Sequence, residues 1–239
     1  MKRLTLLIVC MAVIIFISAV EGIELEETRM PVDKPSVVLL MLDMAGQAYR
    51  CDSLLAHNRR VVGELLSAES LSKANVTNVY LGTFAETSEI RYSIPAGHEP
   101  DSIRYKKFAR KVGETLNAMD KPSGSTANQS SGRAFARDVA GTLGYIRQFI
   151  EEQHLKTKYS KIFIVFASPF IQTLSPVQTH RYLQKNRISF PENSQLLVLG
   201  QAFNCQDVAQ IERNIAYPKV LSYWSNVIDV KDFKFLTTY

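Results

Sequence analysis

The stretch Val37-Val38-Leu39-Leu40-Met41-Leu42-Asp43 is an unbroken apolar run closed by an acid. It is too short for a stable helix, and apolar side chains in both parities leave no face for water. The run therefore predicts a strand buried on both faces, at the centre of a sheet. Ile162 to Ala167 (IFIVFA) and Leu196 to Gly200 (LLVLG) have the same character and predict two more central strands. Between these runs the period changes. Apolar residues at 54, 55, 61, 62, 65 and 66 recur at helical spacing and leave Arg59, Arg60 and Glu64 outside. Residues 103–117 do the same with Phe108, Val112 and Leu116 inward, and Val139, Leu143, Ile146 and Ile150 form a further stripe. Asp207 to Ile215 reads as helix and Val227 to Val230 as a short last strand, while Lys121 to Gly132, rich in Ser, Gly and Asn, reads as loop. Val76 to Phe84 and Glu89 to Ile94 are strand-like and joined by Ala85-Glu86-Thr87-Ser88, a connection of hairpin length. The second of these alternates, with Ile90, Tyr92 and Ile94 on one face and Arg91 and Ser93 on the other, as an edge strand does. Strands alternating with helices through right-handed crossovers predict an α/β fold: a doubly wound, mainly parallel sheet with one antiparallel edge strand and helices on both faces.

Composition agrees with one packed domain. Of 239 residues, 46% are hydrophobic and 21% charged, which excludes wholesale disorder, a collagen-like chain and a multi-span membrane protein. A formal charge of +5 is too small to imply nucleic acid.

The chain begins with Lys2 and Arg3, runs uncharged from Leu4 to Val20, and turns acidic at Glu21, Glu24, Glu26 and Glu27. This is the layout of a secretory signal over residues 1–22, with small residues allowing cleavage after Gly22 or, alternatively, after Ala19. A run of roughly 17 apolar residues also reaches the short end of the range that spans a bilayer. The uncleaved form is then a membrane tether through residues 4–20. Either form predicts an extracytoplasmic chain, with residues 23–35 as a tether and 36–239 as the folded domain; roughly 215 residues beyond Gly22 suffice for one sizeable core. Cys10 lies within the apolar run, without the small residues that a lipoprotein signal places before its cysteine.

Catalytic signatures are missing from the sequence: it has no Gly-x-Gly-x-x-Gly, phosphate-binding Walker loop, Gly-x-Ser-x-Gly, Cys-x-x-Cys or His-Glu-x-x-His. His57, His98, His154 and His180 have no ligand spacing, and most of them read as surface residues. Arg104, Lys106, Lys107, Arg110 and Lys111 cluster on the helix at 103–117 with Tyr105 and Phe108 interleaved. A solvated outer face accounts for the cluster, because Phe108, Val112 and Leu116 already define the buried one, and no nucleic-acid partner is expected. Asn75-Val76-Thr77 and Asn128-Gln129-Ser130 are glycosylation sequons, meaningful in a eukaryotic source.

The order of elements and three local strings resemble a von Willebrand factor A (vWA) domain. Val38 to Gln47 (VLLMLDMAGQ) is similar to that family's first strand and metal loop, an apolar run followed by Asp-x-Ser-x-Ser. Val79 to Pro95 (VYLGTFAETSEIRYSIP) is similar to its second and third strands. Lys161 to Pro169 (KIFIVFASP), followed by Gln195 to Ala202 (QLLVLGQA), is similar to its fourth and fifth. The resemblance spans residues 36 to 230 and implies a module that binds another protein through the loops at the carboxyl ends of its central strands.

It also implies a place for a divalent cation, held by the carboxylate and two hydroxyls of the first loop, a Thr of a later loop and an Asp after the fourth strand. Here Asp43 is retained, but Ala45 and Gln47 stand at the two Ser positions and Ser168 stands at the Asp position. Thr126, Ser130 and Ser131 are the candidates for the loop Thr. Hard cations need several oxygen ligands, so the expectation is a degenerate site with no metal and no other cofactor, Asp43 capping the next helix or bonding loop amides. Asp43, Gln47 and Ser168 are the expected binding positions, the partner being a protein that the sequence does not identify.

Two other functions compete with this reading. Isochorismatase-like cysteine hydrolases also open with a strand ending in Asp, and Gly200 to Cys205 (GQAFNC) resembles their nucleophile segment; Cys205 would be the nucleophile and Lys121 the sole candidate for the catalytic Lys. The spacing to Cys205 is one residue short, and the Val79–Ile94 hairpin has no place in that fold, so the chain is read as not being an enzyme. The third function is a structural subunit of an envelope assembly. Cys51 and Cys205 are the only cysteines after Gly22, and in an exported protein they are either one disulfide or two thiols. The vWA resemblance places both at the carboxyl edge of the sheet.

Overall fold

The apolar run at 37–42 lies in the middle of the sheet. In the computed structural model β1 (Ser36–Asp43) pairs in parallel with β2 (Val76–Phe84) on one side and β4 (Lys161–Ala167) on the other. β3 (Ser88–Pro95) runs antiparallel beside β2, and beyond β4 follow β6 (Ser194–Gln201) and β8 (Asp232–Thr238), both parallel. The order is β3-β2-β1-β4-β6-β8. Five parallel strands and one antiparallel edge are the architecture expected from the sequence. The structure describes residues 34–44, 60, 62–119, 137–168, 170, 174–201 and 217–238. The N-terminal segment 1–33, Ala45, Gln47, Cys51, His57, Lys121, Thr126, Ser130, Ser131, Cys205 and the helix expected at 207–215 lie outside the described residues.

Alternate residues of the central strands feed two cores. Val37, Leu39 and Met41 of β1 join Ile162, Ile164 and Phe166 of β4 under α3 (Val139–Glu152), whose Val139, Leu143, Ile146 and Ile150 are all buried as the stripe requires. Leu155 of α4 (Leu155–Lys158), Leu183 of α5 (Pro176–Lys185) and Trp224 of α6 (Tyr217–Val227) complete that face. Val38, Leu40, Val79 and Leu81 point the other way. The buried side chains on that side include Leu71 of α1 (Ala68–Lys73) and Tyr105, Phe108 and Val112 of α2 (Asp101–Met119). Among the described residues no helix is long and apolar enough to cross a membrane.

Three local expectations change. The alternation in β3 is broken by a bulge: Tyr92 pairs with Leu81 but Ile90 with Gly82, so Arg91 is the extra residue and Ile90 faces the α3 side while Ile94 faces the α2 side. Gly82 permits this, since a Cβ there would sit 2.6 Å from the Glu89 carbonyl and 2.6 Å from Met41 Sδ. The Ile90 N–H is taken by the Tyr145 hydroxyl at 2.9 Å. Ile228 and Asp229, from the expected last strand, instead form β7 (Ile228–Asp229), paired with β5 (Ile188–Ser189) in a separate two-stranded sheet. The sixth strand of the main sheet is β8, which starts only two residues after Val230. Finally, α1, α4, α5 and α6 were not predicted; α1 carries a local start signal, Ser67 accepting the Ser70 N–H at 3.2 Å.

Candidate functional site

The pleat decides where Asp43 points. It continues the row Val37, Leu39, Met41, on the α3 side of the sheet. In β4 the corresponding row is Ile162, Ile164, Phe166, and its next member is Ser168. Leu42 pairs with Ala167, so the two rows run out side by side at the carboxyl edge. There the Ser168 hydroxyl donates to Asp43 Oδ2 at 2.8 Å, and Arg137 Nε donates to the same oxygen at 2.6 Å. The side chains of Arg137 and Asp43 are 3% and 4% exposed, and Ser168 is buried as well. At that depth an ionised carboxylate persists only with a counter-charge and hydrogen bonds, and Arg137 and Ser168 supply them.

Arg137 is held by its backbone. Its carbonyl accepts the Leu174 N–H at 3.0 Å, and the next residue, Asp138, donates its own N–H to the Ala85 carbonyl in the hairpin turn at 2.8 Å. Asp138 is also the N-cap of α3, accepting from the Gly141 N–H at 3.0 Å. The start of a helix is its positive end, an unfavourable place for a guanidinium, and the Asp43 carboxylate offsets that.

Ser168 and Phe170, just after β4, are equally fixed. The Ser168 hydroxyl oxygen accepts the Phe170 N–H at 3.1 Å, and the Phe170 carbonyl accepts from Trp224 Nε1 at 2.8 Å. Phe170 has φ 61°, a left-handed conformation that costs a bulky residue on the order of 1–3 kcal/mol. These bonds and its full burial hold it there. Phe84, Phe166, Phe170 and Trp224 follow one another at centroid distances of 5.5, 4.9 and 5.0 Å, an aromatic floor that keeps the surroundings of the ion pair dry. Next to it, burial pushes the Tyr223 phenol above its usual pKa.

This cluster occupies a particular place in the topology. The strand order reverses between β1 and β4, and in open parallel sheets the crevice beyond the carboxyl ends at that reversal is where ligands bind. Asp43 ends β1 and Ser168 follows β4. Of the positions expected from the sequence, the structure brings these two together. Gln47, Ala45, the loop candidates Thr126, Ser130 and Ser131, and Cys51 and Cys205 lie outside the described residues. Sequence reasoning missed Arg137. The available signal was a basic residue immediately before the acidic cap of a strongly striped helix, a position where the helix dipole disfavours positive charge unless an acid is near.

The basic cluster of α2 has a different character. Tyr105 and Phe108 are buried, and the Tyr105 hydroxyl donates to Asn75 Oδ1 at 3.4 Å, so neither ring is presented for stacking. Arg104 lies over the Tyr105 ring at 4.7 Å, Lys107 pairs with Glu99 at 2.9 Å and Arg110 with Glu114 at 3.7 Å. His98, His154 and His180 are exposed, as expected.

No protein-family model matches the chain, and no curated protein matches it in sequence. Solved structures do. A mutant of the PilB minor pilin from Streptococcus sanguinis aligns with a TM-score of 0.45 at 10% identity, covering 89% of this chain and 59% of that one. Proximal thread matrix protein 1 from the mussel byssus aligns at 0.42 with 9% identity, over 84% of this chain and 44% of that one. Manganese-loaded TRAP protein from Plasmodium vivax aligns at 0.34 with 12% identity, over 83% and 69%. The chain thus spans about half the length of the mussel protein and the pilin.

Proposed function

We propose that the chain is an exported vWA-like binding module that recognises a protein partner through the carboxyl edge of its sheet, and that it does so without a divalent cation. The observation that carries this reading is the meeting of Asp43, Ser168 and Arg137 where the strand order reverses. The β2–β3 hairpin favours the module over a cysteine hydrolase. Export rests on the charge-flanked apolar run at residues 4–20.

The residues at this edge do not fit the cation that the vWA resemblance implies. Asp43 Oδ2 already accepts from a guanidinium and a hydroxyl. A dication about 4 Å from that guanidinium would be repelled by about 8 kcal/mol at an effective dielectric of about 20. With Oδ2 so occupied, the edge binds through its side chains and backbone. Leu174, whose N–H meets the Arg137 carbonyl, and Val177, in the first turn of α5, are exposed and are the positions at which we expect a partner to touch.

Site-specific photo-crosslinking in cells that make the chain tests the reading. A photoreactive residue at Leu174 or Val177 should trap a discrete adduct that persists in chelator, whereas one at Lys158, at the opposite edge, should not. Equal adducts from both edges, or loss of the adduct on chelation, would overturn it.

A further inference from the structure

We infer that Arg137 is the resident cation of this edge: its guanidinium balances the Asp43 carboxylate as a bound ion would, so that the chain carries its own permanent charge partner. The inference rests on reading the edge as the vWA-like site, and it adds a claim about what Arg137 replaces. Its Nε and the Ser168 hydroxyl converge on one oxygen, Asp43 Oδ2, at 2.6 and 2.8 Å. Both charged side chains are almost completely buried, so solvent does little of the neutralising. The backbone around Arg137 is pinned on two sides, to Leu174 and, through Asp138, to Ala85. A guanidinium stays protonated at any physiological pH, whereas a buried ammonium can lose its proton. The resulting charge is one that neither pH nor a chelator removes.

Removing the guanidinium should therefore create a demand for a cation where the natural chain has none. Arg137→Ala leaves the buried Asp43 carboxylate without that guanidinium, beside the Ser168 hydroxyl. The experiment uses the full chain and Mn²⁺ alone as probe, with thermal unfolding and electron paramagnetic resonance as readouts. The natural chain should melt identically in chelator and in millimolar Mn²⁺ and show no stoichiometric bound Mn²⁺. R137A should melt lower in chelator and recover a large part of the loss in Mn²⁺. The double variant D43N/R137A should not respond to Mn²⁺.

A stoichiometric Mn²⁺ site in the natural chain that disappears in D43N would overturn the inference, and so would an R137A indifferent to Mn²⁺. If R137A is recovered unfolded, refolding yield replaces the melting curve. By mass action Mn²⁺ should then raise the yield by at least about fivefold, and equal yields would overturn the inference. None of these readouts depends on a partner. Failure of the crosslinking experiment with Mn²⁺ rescue intact would sink only the binding function, and the converse result would sink only the role given to Arg137.

Discussion

The carboxyl edge and the α2 surface each hold an ion pair, and the two pairs are nearly the same length: 2.6 Å for Arg137–Asp43 and 2.9 Å for Lys107–Glu99. Their surroundings differ. The first pair is about 3–4% exposed above an aromatic floor; the second is 57% and 37% exposed. Distance therefore does not rank them. In the dry site each partner makes the other's burial tolerable, so losing one is costly even if the intact pair adds little net stability. On the surface, water and salt do most of the work and either partner is dispensable.

The largest effect is expected from breaking the buried pair on one side. Arg137→Met with Asp43 intact should lower the free energy of unfolding in urea by about 3–5 kcal/mol, and Asp43→Asn added to it should restore a good part. A single-variant loss no larger than that of an exposed pair would mean that water reaches the site.

Next comes the dryness itself. Trp224→Phe removes the donor to the buried Phe170 carbonyl and thins the aromatic floor, and should cost about 1–3 kcal/mol by the same urea measurement. It should also speed amide exchange at Phe170, whose N–H is held by Ser168. If stability falls while exchange at Phe170 stays slow, the left-handed turn holds without the tryptophan.

The contrast also explains what the sequence made visible. Periodicity is a local signal, and it located β1, β2, β4, β6 and the α3 stripe to within about a residue or two. Pleating then carried Asp43 and Ser168 to one face, because side-chain direction follows from counting along a strand. Arg137 lies at no regular position. Its place depends on a backbone clamped by Ala85 and Leu174, from two distant parts of the chain, and no local pattern encodes that. The β3 bulge was hidden for the same reason, since it answers to Met41 and Glu89 closing on Gly82. Helix α5 escaped because it buries few residues; of its side chains only Leu183 is fully covered among those described.

A smaller effect separates charge from capping at the same edge. Asp138→Ala removes the α3 N-cap and should cost about 1 kcal/mol, read from the urea midpoint, while leaving Arg137 on Asp43. Asp138→Asn or Asp138→Ser should recover most of it. If those neutral caps fail to do so, the charge of Asp138 is what matters, and the resident guanidinium is balanced by two acids and not by Asp43 alone.

The smallest effect is expected at Lys107–Glu99, where it is a titration and not a stability change. The hydrogen bond from Lys107 lowers the Glu99 pKa from its ordinary value of 4.5, with the backbone and the Lys107 charge acting the same way. A carboxyl depressed in the folded state contributes stability that is present above the unfolded pKa and lost as pH falls through the folded one, so the window lies on the acid side of 4.5. Carbon-detected NMR of the Glu99 carboxyl should give a midpoint below 4.5, and Lys107→Met should move it part of the way back, with added salt acting in the same direction. Near neutral pH, Lys107→Met should leave the unfolding midpoint unchanged within error. A neutral-pH loss comparable to that of Arg137→Met would end the distinction between the two pairs, because an exposed partner would then matter as much as a buried one. A midpoint at or above 4.5 would instead show that Lys107 does not hold Glu99 in solution, and the α2 cluster would then count as a fully solvated basic face.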